Sequence, residues 1–161
     1  EYESQDIDVL LLGQDGFESE ELVKTVIRYV QNNNIEFVIK LHPKDNSGEW
    51  YKSRGWGNYI SKFSGMREAI GRSQVVITDT STGFIESSIL QTYTIVFDCQ
   101  KRGISALDPA EYVYFPVDIY DGVQQIDAIM GGTNDNITHG KKVVKTDNVA
   151  MKIINVISEN N

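Results

Sequence analysis

The sequence predicts an α/β domain of three layers, with a parallel sheet between two layers of helices. Short apolar segments alternate along the chain with segments whose apolar residues recur every three or four positions, the pattern of alternating strands and helices. The first strand, over residues 7–12, is apolar at nearly every position, which is typical of parallel strands buried on both faces. A chain of 161 residues is long enough for one such domain with a complete core.

A strand, a helix and a second strand open the chain. Ser19, followed by Glu20 and Glu21, has the pattern of a helix N-cap with an acidic first turn. The apolar residues after it form one helical stripe: Leu22, Val23, Val26, Ile27 and Val30. The asparagines at 32–34 end this helix, and a second strand follows over residues 35–41. The unit is therefore a βαβ crossover, which we expect to be right-handed.

The remainder of the chain continues the alternation. Strands are predicted over residues 58–61, 74–78, 93–97 and 113–117. Helices are predicted over residues 50–53, 66–72, 84–91 and 123–130. The polar, Gly- and Asn-rich stretch at 131–147 predicts an exposed loop, and the apolar spacing from Val149 to Ile157 predicts a final helix. We therefore expect a domain over residues 1–130 and a separate loop and helix over residues 131–161.

Composition and charge exclude several functional classes. A net charge of −8 argues against general nucleic-acid binding, which needs clustered Lys and Arg, so any phosphate site has to be local. No apolar run approaches the length of a transmembrane segment, and the single cysteine, Cys99, cannot form a disulfide within the chain. The chain begins at Glu1 rather than at Met, and we expect it to be a piece of a longer protein.

The most informative segment is a turn between a predicted strand and a predicted helix. Its residues are Asp79, Thr80, Ser81, Thr82 and Gly83. One Asp, Ser or Thr would serve as an ordinary N-cap, but here several polar side chains are consecutive and a glycine follows them. Hydroxyl groups and backbone N–H groups at a helix N-terminus form a site for phosphate, which the helix dipole also favours. We therefore favour phosphate binding over capping alone.

Two further residues belong to the same hypothesis. Glu86 falls in the first turn of the predicted helix, where it would cap a backbone N–H or contact a ribose hydroxyl. His42 ends the second predicted strand and is followed by Pro43, which fixes the backbone. A lone histidine is usually structural, but this one lies between Lys40 and Lys44, so we favour a contact with phosphate.

Cationic residues near the same edge are weaker candidates. Lys44 and Arg102 would bring positive charge to a bound phosphate, although both are also typical of solvated surface turns. The histidines and the cysteine do not have the spacing of a zinc site, so we expect no metal. Ser81 lacks the flanking glycines of a nucleophile elbow, and no GxGxxG follows the first strand, which argues against a serine hydrolase and against a nicotinamide cofactor.

Two segments resemble the carboxyl-terminal halves of GT-B enzymes, which have a Rossmann-like fold of three layers. They are IKLHPKD at 39–45 and SQVVITDTSTGFIESSILQTYTIVFD at 73–98. The pattern is similar to that of the CDP-glycerol glycerophosphotransferases of teichoic acid synthesis and of related capsule and polysialic acid transferases. The resemblance implies that His42, Ser81 and Thr82 contact donor phosphates and that Asp79 shapes the turn.

The same turn also resembles that of hydrolysing UDP-GlcNAc 2-epimerases. The matching segments are STGFIES at 81–87 and CQKRG at 99–103. This resemblance implies that the UDP moiety is held by Ser81, Thr82, Gly83 and Glu86. Thr82 stands where the transferases have a second serine, and Ser87 stands where many epimerases have a second glutamate, so both families remain open.

What the resemblance implies is the donor-binding half of a glycosyltransferase or glycerophosphotransferase of cell-envelope polysaccharide biosynthesis. Its donor would be nucleotide-activated, such as CDP-glycerol, a UDP-sugar or a CMP-sugar, with no other cofactor. The turn and His42 would stabilise the charge that develops on the departing diphosphate. In such enzymes an amino-terminal domain holds the acceptor and usually the catalytic base, so we expect that domain as a partner and little catalysis by this chain alone.

The implied location is the cytoplasm or the inner face of the membrane, with any membrane attachment supplied by the missing part of the protein. The half-domain of a hydrolysing epimerase is one alternative. A non-catalytic Rossmann-like domain, kept for sensing or for protein contacts, is the alternative from a different class.

Overall fold

The computed structural model describes residues 5–13, 19–42, 47–79, 82–98 and 112–131. The strands are β1 (Ile7–Gly13), β2 (Phe37–Leu41), β3 (Ser73–Thr78), β4 (Tyr93–Val96) and β5 (Val113–Tyr114). The helices are α1 (Glu20–Asn33), α2 (Gly48–Ser53), α3 (Met66–Gly71), α4 (Thr82–Ile89) and α5 (Ile119–Met130). The strands form one parallel sheet in the order β2-β1-β3-β4-β5, and helices flank it. The predicted Rossmann-like α/β fold of three layers is confirmed.

The alternation of side chains along the strands supplies a separate core on each face of the sheet. In β1, Val9 and Leu11 belong to the core that α1 and α5 cover. Leu10 and Leu12 point the other way and pack in the core that α3 covers. All four side chains are almost completely buried, which explains why β1 reads as a continuous apolar run.

Helix α1 forms because its sequence supplies both a cap and an apolar stripe. The Ser19 side chain accepts a hydrogen bond from the backbone N–H of Leu22 at 3.3 Å. Every residue of the predicted stripe is buried. The helix ends at Asn34, which adopts the left-handed conformation with φ 54°, one of the few residue types that does so readily. Helix α1 thereby carries the chain from the carboxyl end of β1 back to the start of β2.

A single bridge residue extends the sheet beyond β2. Ile60 pairs in parallel with Ile39, and the backbone N–H of Ser61 donates to the carbonyl of Ile39 at 2.7 Å. When this bridge is counted as a strand, it lies beside β2, and the strand order becomes that of the Rossmann fold. In that order the first strands of the chain are added on one side of β1, and the later strands are added on its other side.

The structure corrects two predicted strands. Residues 58–61 contain the end of a 3-10 turn, Gly57–Tyr59, followed by the bridge at Ile60, because Tyr59 and Ile60 pack against the core. The strand predicted at 113–117 shortens to β5, because the Asp121 carboxylate accepts a hydrogen bond from the backbone N–H of Val117 at 2.9 Å. Helix α5 therefore starts earlier than predicted, with Asp118 as its N-cap.

The predicted loop and final helix of residues 131–161 lie almost entirely outside the described residues. Among the residues that the structure does describe, no helix combines the length and the apolar character needed to cross a membrane.

Candidate functional site

The topology of the sheet selects one crevice for a ligand. From β1 the chain passes through α1 to β2 on one side, and β3, β4 and β5 then continue on the other side. Ligands of open α/β sheets bind outside the carboxyl ends of the strands where the strand order reverses in this way. Here that position lies at the carboxyl ends of β1 and β3.

The strand register brings the two predicted polar clusters to this crevice. Gly13, the last residue of β1, is paired with Leu41, so His42 lies directly beyond the end of β1. On the other side of β1, Leu11 is paired with Ile77, which sets Asp79 level with Gly13. The backbones of His42 and Asp79 are therefore separated by about two strand spacings, or about 10 Å.

His42 is exposed at this edge, and its backbone is held in place by β1. Its N–H donates to the carbonyl of Gly13 at 3.3 Å. The position is the one expected from the sequence, since the side chain follows the strand and lies outside the core.

Gly13 allows the end of β1 to pack closely against its neighbours. A Cβ atom at this position would lie 2.9 Å from Cδ2 of Leu41 and 3.2 Å from the hydroxyl oxygen of Tyr51. Tyr51 comes from α2 and is 1% exposed, so its side chain packs against the end of β1. Sequence reasoning missed both Gly13 and Tyr51 as parts of the site, because only the packing shows that a side chain at position 13 would meet the tyrosine.

Asp79 follows β3 and is fully buried. The neighbouring backbone is fixed by β4, because the N–H of Phe97 donates to the carbonyl of Thr78 at 2.9 Å. Burial of the Asp79 side chain favours a role in shaping the turn over a direct contact with a ligand.

Helix α4 starts at the carboxyl edge and directs its N-terminus toward the crevice. It begins at Thr82, and Gly83 in its first turn is buried. The carbonyl of Gly83 accepts a hydrogen bond from the Ser87 hydroxyl at 2.8 Å, and that of Phe84 accepts one from Ser88 at 2.9 Å. These hydroxyl groups are therefore satisfied within the helix. The N-terminus of α4, with its partial positive charge, lies at the edge where His42 lies.

The structure corrects the position of Glu86. Because α4 starts at Thr82 rather than at Phe84, Glu86 lies one turn into the helix, and no acidic residue occupies the first turn. Glu86 therefore does not cap the first N–H groups of α4. The predicted contact with a ribose hydroxyl stays a prediction for this half-buried side chain.

Several predicted site residues lie outside the described part of the chain. These are Thr80, Ser81, Lys44 and Arg102, and for Thr82 only the backbone is described. Their roles stay predictions. Among the described residues, no group of three or more His, Cys, Asp and Glu side chains could hold a metal ion.

A half-buried hydrogen-bond cluster lies beyond the end of β5. The Tyr114 hydroxyl donates to the Asp121 carboxylate, with 3.0 Å to each oxygen. Burial, and then this carboxylate, raises the pKa of Tyr114 above its ordinary value. The cluster ties β5 to the start of α5.

The fold defines a class: a Rossmann-like α/β domain built on one parallel sheet of five strands. No protein-family model matches the chain, and a search of curated proteins finds no match.

Proposed function

We propose that this chain is the donor-binding half of a transferase that uses a nucleotide-activated donor. One observation carries the proposal: His42 and the N-terminus of α4 flank the end of β1 at the same edge of the sheet. A donor diphosphate needs hydrogen-bond donors on both sides, and this edge offers a histidine on one side and backbone N–H groups on the other.

The chemistry of such a site is electrostatic. A glycosyl or glycerophosphoryl transfer leaves negative charge on the departing nucleotide, and fixed donors aimed at that charge lower the barrier. The backbone N–H groups of the first turn of α4 are already oriented by the helix that starts there, so they need little reorganisation when the charge develops. An acceptor and a catalytic base would come from a second domain, as the resemblance to GT-B enzymes implies.

Calorimetric titration with CDP, UDP, CMP and uridine tests the ligand class. We expect the diphosphates to bind more tightly than CMP and uridine to give no signal, because the site recognises phosphate. His42→Ala should weaken CDP or UDP binding several-fold, whereas Arg67→Gln on the exposed face of α3 should not. If no nucleotide binds at millimolar concentration, the domain belongs to the non-catalytic class.

A second experiment separates a phosphate ligand from a helix cap in the hydroxyl turn. The double variant Ser81→Ala, Thr82→Ala should keep its melting temperature and lose several-fold in diphosphate affinity, because hydrogen bonds to charged groups contribute about 1.5–3 kcal/mol each. A hydroxyl that only caps α4 would instead cost about 0.5–2 kcal/mol of stability when removed. A lower melting temperature with unchanged affinity would make the turn structural.

A further inference from the structure

A groove away from the proposed donor edge collects positive charge in a strongly acidic chain. It lies between α1 and the segment that follows α2, and it encloses about 440 Å³. Lys24 and Arg28 line one wall, and Arg54 lines the other. Among the described residues that line the groove, none is acidic. The volume is within the range of sites for small ligands.

The two walls are held together at both ends of the groove. At one end the Glu20 carboxylate accepts from Lys24 at 2.6 Å and from Nε and Nη2 of Arg54, each at 3.1 Å. At the other end Nε2 of Gln31 donates to the Tyr59 hydroxyl oxygen at 2.8 Å. The two walls of the groove are therefore joined by side-chain hydrogen bonds.

The charges of the groove do not cancel. One carboxylate, Glu20, serves two cations, and Arg28 forms no ion pair with any described residue. Arg28 is also exposed, two turns into α1, with its charge beside the opening. Although the whole chain carries −8, charges farther away than about 8 Å are largely screened at physiological ionic strength, so the local cations dominate.

The remaining lining fits an organic group beside the charge. Trp56 and Tyr59 supply aromatic surface, and Asn58 supplies an amide. Arg54 is fixed by its stacking on Trp50, with 4.1 Å from Cζ to the ring centroid, and by a 3.2 Å hydrogen bond to the carbonyl of Trp50. Its Nε and Nη2 already bind the Glu20 carboxylate, so Arg54 adds positive charge and a fixed wall to the groove, and Arg28 is the cation that remains to bind an oxyanion.

We propose that this groove is a second binding site, which takes a small phosphorylated organic molecule. The phosphate would bind Arg28 beside the Lys24–Glu20–Arg54 cluster, and the organic part would lie against Tyr59 and Trp56. The site is independent of the proposed donor function, because it lies between α1 and the segment that follows α2, and neither His42 nor any described residue of α4 lines it.

Titration of the full chain with phenyl phosphate and with inorganic phosphate tests the proposal. We expect phenyl phosphate to bind more tightly than inorganic phosphate, and both affinities to fall as salt is raised. Arg28→Gln should weaken phenyl phosphate binding at least threefold, and the matched control Arg67→Gln, an exposed arginine of α3, should leave it unchanged.

Two results would overturn the proposal. One is equal phenyl phosphate affinity in Arg28→Gln and in Arg67→Gln, and the other is a phenyl phosphate affinity no higher than that of inorganic phosphate.

His42→Ala separates the two sites. If this variant loses phenyl phosphate binding and Arg28→Gln keeps it, the anion binds at the sheet edge and the proposal for the groove is wrong. Unchanged binding in His42→Ala together with a loss in Arg28→Gln supports the groove, whatever the nucleotide titrations give.

Discussion

The two faces of the sheet bury different kinds of side chain. The face covered by α1 and α5 holds large aromatic residues, among them Phe37, Tyr51, Trp56 and Phe97. The opposite face holds a smaller aliphatic core, and hydroxyl groups are buried at the start of β3, by Ser73, and in α4, by Ser87 and Ser88. Each of these hydroxyls donates to the carbonyl four residues earlier, at 2.6–2.9 Å.

The two faces of the sheet are therefore packed in different ways, one by large aromatic rings and the other by aliphatic side chains and buried hydroxyl groups. On the aromatic face, rings press against backbone that has no side chain, at Gly13 and Gly122. On the hydroxyl face, polar groups are buried at low cost because they are satisfied within their own helix or turn. We therefore expect the aromatic face to tolerate changes of volume poorly and the other face to tolerate loss of its hydroxyls.

Truncation of the buried tyrosine of the aromatic face should have the largest effect. Tyr51→Ala removes a ring that is 1% exposed and packs against Trp50 and Trp56, so we expect a loss of about 3–5 kcal/mol in the free energy of unfolding. Tyr120→Ala is the matched control, because Tyr120 is 69% exposed and should change stability by about 0.5 kcal/mol or less. Urea denaturation measures both. Similar losses in the two variants would contradict the packing described for α2.

An added methyl group on the same face should have the next largest effect. In Gly122→Ala the new Cβ would lie 2.4 Å from Cζ of Phe97, and overpacking of this kind costs about 1–3 kcal/mol. Alanine gains up to about 1 kcal/mol in helix propensity, which offsets part of that cost. We expect a net destabilisation in thermal unfolding. Adding Phe97→Leu should restore part of the loss, and strictly additive effects would show that the two residues do not meet.

The buried serines of α4 should matter much less. Ser87→Ala and Ser88→Ala each remove a hydroxyl together with its local hydrogen bond, and the carbonyls of Gly83 and Phe84 remain available to the helix. We expect each variant to stay within about 1 kcal/mol of the original protein. If either variant lost as much free energy of unfolding as Tyr51→Ala, the face that buries these serines would depend on their hydrogen bonds. The expected difference in tolerance between the two faces would then be wrong.

The smallest effect should come from an ion-pair cluster beside the aromatic face. Hydrogen bonds from Lys24 and then from Arg54 lower the pKa of Glu20 below its ordinary value. A carboxylate with a lowered pKa in the folded state stabilises the fold above its ordinary pKa, and this contribution is lost as the pH falls through the folded pKa. Glu20→Gln should therefore flatten the loss of stability below about pH 4.5, a range set by the ordinary pKa of a glutamate. Urea denaturation at several pH values measures this dependence. If the free energy of unfolding fell as steeply below about pH 4.5 in Glu20→Gln as in the original protein, the prediction would be contradicted.

Periodicity was a good guide wherever a segment obeys one period over its length. Residues 7–12 and the stripe of α1 lie where the sequence predicts them, because a strand buried on both faces and a helix buried on one leave unambiguous patterns. The sequence predicts that α4 starts at residue 84, two residues after its observed start at Thr82, because Thr82 and Gly83 are residue types common in turns. Their helical conformation depends on the packing of the helix they open.

For the candidate site too, some features follow from the sequence and others depend on the tertiary structure. The sequence alone determined that polar residues follow the ends of two apolar strands, that a hydroxyl-rich turn opens a helix, and that the chain is acidic, since composition, spacing and strand polarity are local properties. Only the tertiary structure decided that β1 lies between those strands, that Gly13 leaves room for Tyr51, and that Arg54 meets Lys24 and Arg28 across a groove. These depend on strand order and on contacts between residues far apart in the chain, which no window of sequence contains.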